Sequence, residues 1–309
     1  MATKKPKTST KSTKTKSAKT GTTEKSVKKP EIEAPKTKTV EMNKTSEKKH
    51  WFSGFFAKKY EENESILTVF KNRKFYGALL GEVIGTMLIT LLLLMFASPD
   101  ISIFATVTYA PFALIAVLIT VYAFSGACLN PLIAVGMIAS RRVSVIRGIM
   151  YIVAEVVGAW FGWLILSGFH LAGGETASEM ATMAPIAEDG FWMVALVELL
   201  GASIIGFFFA RAIEYKRSVF TFSITVVGGI ILAIIAGYII SSLYLRLSNN
   251  FIMNPAIALT MKIFPESSSS FGEALGGILQ ALSAYAIIPM VGGIIGFYLS
   301  DFTKKLSED

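Results

Sequence analysis

From residue 77 onward the chain is a series of apolar runs long enough to cross a bilayer, separated by short polar breaks. A spanning helix takes about 20 mostly apolar residues. Runs of that kind cover 77–97, 102–124, 146–169, 191–211, 219–245 and 276–300. Only helices or closed barrels satisfy every backbone hydrogen bond in lipid. With 52% hydrophobic and 17% charged residues, the fold class is therefore an all-α polytopic membrane protein. Two further apolar pieces, 131–140 and 255–264, are too short to span, and each begins at an Asn-Pro step.

Asn is a favoured N-cap, and Pro fits the first helical position because its missing N–H would be unpaired there anyway. Asn130-Pro131 and Asn254-Pro255 therefore each start a short helix at membrane depth. The first and fourth spans also share a pattern, Glu-x-x-Gly, at Glu82/Gly85 and Glu198/Gly201. Three spans plus one half helix make one copy. An odd number of crossings inverts the second copy, and sites in inverted repeats lie at the midplane where broken helices meet. Two half helices inserted from opposite faces would bring their positive N-terminal ends together. Such a point passes neutral hydrogen-bonding solutes and repels protons and cations. Each Asn amide offers two donors and an acceptor to a solute in single file.

The basic residues give the orientation. Arg141, Arg142 and Arg147 follow span two, Arg211, Lys216 and Arg217 follow span four, and Lys304 and Lys305 close the chain. Asp100, Glu175, Glu179, Glu188 and Asp189 lie in the opposite loops. Both termini are expected on the cytoplasmic side of the plasma membrane. The net charge of +8 comes from one place: residues 1–50 hold 15 Lys and 5 Glu, and almost no large apolar side chain precedes Trp51. Residues 1–70 are expected to be a disordered Lys/Thr-rich tail, with weak attraction to anionic lipid or nucleic acid by charge. No apolar core follows within the first 30 residues, so no secretory signal is expected. The stretch 50–62 mixes aromatics with Lys and suits an interfacial helix.

Acidic groups inside spans are functional candidates by default. Glu82 and Glu198 either accept the unpaired N–H groups of the re-entrant loops or relay protons, and Glu155 in span three carries the same two readings. The single cysteine, Cys128, excludes a disulfide framework, and no Cys/His spacing suggests a metal. No cofactor is expected. Nor does any nucleophile elbow or phosphate loop point to an enzyme.

The motifs "SGACLNPL" (125–132), "FIMNPAIAL" (251–259), the paired Glu-x-x-Gly and "PMVGGIIG" (289–296) resemble the aquaporin and glycerol-facilitator family, the major intrinsic proteins. The resemblance covers about 75–302, with one repeat at about 75–170 and the other at about 190–302. It implies an aquaporin-like bundle of six transmembrane helices plus two re-entrant half helices, assembled as a homotetramer. It makes Asn130, Pro131, Leu132 and Asn254, Pro255, Ala256 the two pore boxes, and Glu82 and Glu198 the acids that support the loops. Leu132 replaces the usual Ala, which would alter the pore waist. Cys128 replaces the usual His and puts a thiol in the pore lining.

The resemblance further implies an outer filter at Ala110, Ser242, Phe251 and Ile257. Ile257 stands where the family generally carries Arg, and Ala258 where the glycerol branch often carries Asp. The filter is thus expected to be wide and apolar. Arg246, eight residues before Asn254, would either swing over the pore mouth or face headgroups at the rim. The expected function is a passive channel for small neutral solutes, glycerol or similar polyols with water. Alternatives are a water, ammonia or urea channel, or a non-conducting membrane scaffold whose basic tail does the work.

Overall fold

The structure, a computed structural model, describes residues 66–96, 101–173, 190–214, 218–245, 251–261 and 271–308. The Lys-rich tail up to residue 65, the stretch 50–62, Arg246, Lys262 and the acidic loop residues named above lie outside the described residues. The last residues of the expected tail fall within the described part of the chain. Ile66–Lys71 is a helix, α1, and Val69 joins the core cluster that holds Phe75. The apolar side chains of "ILTVF" supply that packing. Asn72 then starts the next helix, its Oδ1 accepting the Lys74 N–H at 3.0 Å.

All regular structure among the described residues is helical. The spans are α2 (Arg73–Phe96), α3 (Ile103–Ser125), α5 (Val145–Ala172), α6 (Phe191–Glu214), α7 (Val219–Ile239, continued by a π-helical turn to Leu245) and a last rod. That rod is α9 (Phe271–Leu282), a π-helical turn, and α10 (Ile288–Glu308). Six helices among the described residues are thus long and apolar enough to cross a membrane. Their outward faces stay apolar, with Trp192, Phe104, Phe112 and Phe169 all exposed, which suits lipid rather than water. The half helices are α4 (Pro131–Ala139) and α8 (Pro255–Thr260).

The repeat runs deeper than the Glu-x-x-Gly pattern. Tyr151, Glu155, Gly158 and Gly162 of α5 take the same spacing as Tyr285, Pro289, Gly292 and Gly296 of the last rod. A side chain at Gly158 would strike the Val83 carbonyl, and one at Gly162 would come 2.6 Å from the Met87 carbonyl. In the second repeat, a Cβ added at Gly292 would come 2.6 Å from the Leu199 carbonyl, and one at Gly296 would strike the Ser203 carbonyl. Val83 and Leu199 each follow their span's Glu, so both helix pairs cross at equivalent points. Small residues are needed there because the backbones nearly touch.

One end of the bundle is tied by ions. Arg142, just past α4, donates from Nη2 to Asp301 Oδ1 (2.7 Å) and Glu214 Oε1 (2.8 Å), and its guanidinium lies 5.2 Å from the Phe297 ring centroid. Tyr298 OH donates to the Ala139 carbonyl at 2.9 Å, satisfying a C-terminal acceptor of α4. The ends of α4, α6 and α10 are thereby held together. Removing one partner of a largely buried pair costs about 3–5 kcal/mol, because the other charge stays behind. Arg142→Met is accordingly expected to lower the melting temperature of the detergent-solubilised protein by several degrees. Arg142→Lys should recover only part of it, since an ammonium cannot serve both carboxylates in a fork. A melt unchanged in Arg142→Met would remove the clasp from the account.

Candidate functional site

The site is built where the two half helices begin. Helix α3 ends at Gly126, whose φ of 85° is left-handed and whose N–H returns to Tyr122. The chain then passes through Ala127 (φ 55°) and Leu129 (φ 54°), both in the left-handed region that side chains disfavour. Met253 repeats this at φ 52°. Leu129 and Met253 hold matching places, one residue before each Asn. Strain at matching positions persists only when the surroundings hold it in place.

Glu82 and Glu198 hold it. Glu82 of α2 accepts the Cys128 N–H at 3.1 Å and the Leu129 N–H at 2.7 Å. Glu198 of α6 accepts the Ile252 N–H at 2.6 Å and the Met253 N–H at 3.0 Å. Both carboxyls are fully buried. Leaving a buried N–H unpaired costs about 1–3 kcal/mol, so these bonds offset the two strained residues. Glu155 of α5 adds an acceptor in the first repeat only, taking the Asn130 N–H at 3.0 Å.

The two boxes then clasp each other. Asn130 Oδ1 caps α4 through the Leu132 N–H (3.1 Å), and Asn254 Oδ1 caps α8 through the Ala256 N–H (3.1 Å). Asn130 Nδ2 donates to the Met253 carbonyl at 2.9 Å, and Asn254 Nδ2 donates to the Leu129 carbonyl at 3.2 Å. The left-handed residues thus aim their carbonyls at the opposite loop. Because the caps meet, α4 and α8 run away from each other toward opposite ends. Each Asn oxygen caps its own helix and one N–H of each amide binds the other loop, so one N–H of each amide has no backbone partner of this kind.

Asn130, Asn254 and Cys128 line a cavity of about 70 Å³. Its other walls are apolar side chains, including Ile89, Leu118, Ile133, Phe209 and Val226, together with the loop residues around the Asn boxes. Pro131, Leu132, Pro255 and Ala256 are buried at the starts of their helices. Leu132 is not among the cavity walls. It is fully buried, and its backbone carbonyl and Cβ lie where a side chain on Gly293 of α10 would go.

The four residues expected to form the filter differ in burial. Ile257 is 1% exposed and belongs to the core. Ala110 in α3, Ser242 in the π-helical turn and Phe251 are half-buried, and the Phe251 ring lies against Gly237 of α7. None of the four is a wall of this cavity.

Sequence reasoning missed the left-handed pair Leu129 and Met253. The Asn-Pro step after each marks a helix start but says nothing of the φ before it. It also missed the convergence of Glu82, Cys128 and Glu155, whose ligand atoms all lie within 4.8 Å of one another. No spacing announces that group, because its members come from three separate segments.

A family model described as major intrinsic protein matches residues 69–302. Aquaporin-1 of sheep (Ovis aries) is 37% identical over 82 residues, which cover 26% of this chain and 28% of that protein. Aquaporin-1 of cattle (Bos taurus) is 38% identical over 82 residues with the same coverage. The chain thus spans under a third of the length of these curated relatives. Among solved structures, the aquaglyceroporin from Plasmodium falciparum superposes with a TM-score of 0.48 at 15% identity, covering 74% of this chain and 94% of that one.

Proposed function

The chain belongs to the major intrinsic protein family, and on that premise we propose that it is a passive channel for small neutral solutes, glycerol or a similar polyol with water alongside. The observation that carries this reading is the reciprocal clasp of Asn130 and Asn254 beside the cavity. Each amide keeps one N–H for a passing hydroxyl, while its oxygen and its other N–H are held by backbone. The donors are therefore fixed in place before the solute arrives, and no moving part is required. Apolar walls opposite them suit the carbon face of a polyol.

In this reading Asn130, Pro131, Leu132, Asn254, Pro255 and Ala256 form the pore boxes, Cys128 borders the lumen, and Glu82 and Glu198 support the loops. Ala110, Ser242, Phe251 and Ile257 are the outer filter, short of hydrogen-bond donors because Ile257 replaces a cation. Such a filter favours glycerol over strict water selectivity. The apolar cavity gives urea or ammonia as the second reading. Residues 75–302 are the channel domain, assembled as a homotetramer in the plasma membrane. Arg142, Arg147, Arg211, Lys304 and Lys305 cluster toward one end, which supports cytoplasmic termini.

The test is stopped-flow light scattering of proteoliposomes under glycerol, urea and sucrose gradients. Glycerol and water permeabilities several-fold above those of empty vesicles are expected, with sucrose excluded. Glycerol and water rates equal to those of empty vesicles would overturn the channel reading. Urea faster than glycerol would replace the polyol by the second reading.

A further inference from the structure

Loop support accounts for both oxygens of Glu82 and for one of Glu155, but not for the second Glu155 oxygen or for a thiol beside it. In the second repeat a single carboxyl, Glu198, holds both corresponding N–H groups. There the place of Cys128 is taken by Ile252, and that of Glu155 by Pro289. The first repeat therefore carries an extra carboxyl and a thiol at a midplane that otherwise works without them. One carboxyl oxygen from each Glu and the Cys128 sulfur lie within 4.8 Å of one another, and both Glu are fully buried. Oε1 of Glu155 takes the Asn130 N–H. Oε2 of the same side chain is buried and meets no backbone donor; its polar neighbours are the Glu82 carboxyl and the Cys128 thiol, the other two members of the group. A buried carboxyl oxygen that no fixed donor satisfies is costly. Among the described ion pairs, which gather around Arg142 and Glu214, none reaches these two acids.

We propose that Glu82, Cys128 and Glu155 form a binding site for one thiophilic divalent cation, Zn²⁺ or Cd²⁺, at the wall of the cavity. Thiolate with carboxylate oxygens is a donor set for a borderline or soft ion, not for Mg²⁺ or Ca²⁺. Bonds of about 2.0–2.3 Å to a tetrahedral ion put donor atoms about 3.5 Å apart, which small side-chain rotations reach from the present spacing. The ion enters through the cavity, because Cys128 is one of its walls. Water in the cavity supplies the fourth ligand. If the channel reading holds, an ion beside Asn130 also blocks solute passage.

The experiment uses the full chain in detergent, stripped with a chelator and titrated with Cd²⁺ as the probe. Cys128 is the only cysteine, so the ultraviolet thiolate-to-cadmium band reports this site alone. The expected result is a band that saturates at one Cd²⁺ per chain and is absent in Cys128→Ser. Binding should weaken by about tenfold or more in Glu155→Gln, which keeps an acceptor for the Asn130 N–H. No band in the wild type, or unchanged affinity in Glu155→Gln, overturns the site, the latter reducing it to a bare thiol. Should the variants fail to fold, maleimide labelling of the wild type decides. Zn²⁺ is expected to slow labelling of Cys128, and a thiol that reacts equally fast with and without Zn²⁺, or not at all, overturns the site. Binding is read without any flux, so Cd²⁺ bound by a protein that conducts nothing sustains the site and strikes only the channel.

Discussion

Replacing Glu198 with Ala is expected to remove most of the folded, conducting protein. Glu198 is the acceptor for the N–H groups of Ile252 and Met253, at 2.6 and 3.0 Å inside the bundle. Ala leaves both donors buried and unpaired, at about 1–3 kcal/mol each. The penalty also falls on a strained residue, because Met253 is left-handed and the carboxyl is what keeps it so. When Met253 relaxes, its carbonyl turns from Asn130 Nδ2 and the clasp opens. Stability and flux should therefore fall together. Glu198→Gln separates the parts. Its amide oxygen can still accept from both N–H groups, while its NH₂ faces the Met253 N–H where Oε2 stood. An intermediate melting temperature is expected, with glycerol permeability reduced but measurable. Thermal melts in detergent and stopped-flow flux on the same preparations read both quantities. An Ala variant that melts and conducts like the parent would contradict the support role.

The repeat was legible because membranes leave few solutions. Runs of about 20 apolar residues had to be spanning helices, and Asn-Pro before a short apolar piece had to start another. Duplication then gave the inversion, since each copy holds three spans. From the sequence alone Glu82 and Glu198 leave two roles open. An acid in a span signals a polar need nearby, but which N–H it meets depends on a loop 46 or 54 residues away. The reciprocal bonds of Asn130 and Asn254 were hidden for the same reason. They depend on φ at Leu129 and Met253, and neither Leu nor Met advertises a left-handed backbone as Gly or Asn would. The filter was the least legible part. Its residues are separated by up to 147 positions along the chain, from Ala110 to Ile257, and counting from the Asn boxes gives order without depth. Arg142 looked like an orientation signal alone. Its ties to Glu214 and Asp301 emerge only when the ends of three helices meet.

The second large effect concerns the seam between α6 and α10. Gly296 faces the Ser203 carbonyl so closely that an added Cβ would also come 2.6 Å from the Phe207 nitrogen and 2.9 Å from the Gly206 carbon. All three neighbours are backbone, so no rotamer change relieves them. The helices would have to separate by on the order of an ångström, since ordinary carbon–oxygen contacts begin at about 3.3 Å. Overpacking of this kind costs about 1–3 kcal/mol, occasionally more. α6 carries both Glu198 and the cavity wall residue Phe209, so the separation would also displace the loop acceptor. Gly296→Ala is therefore expected to lower the melting temperature sharply and to reduce flux. Gly201→Ala meets only the flexible end of Met253, and should disturb the loop more than the helix seam. Gly228 has open space where its Cβ would lie, so Gly228→Ala should be neutral or raise stability by about 0.5–1 kcal/mol through helix propensity. Three melts under one condition decide it. The order Gly228→Ala, parent, Gly296→Ala from high to low supports a seam set by backbone contact. If Gly296→Ala matched Gly228→Ala, the close approach of α6 and α10 would not be what holds the second repeat together.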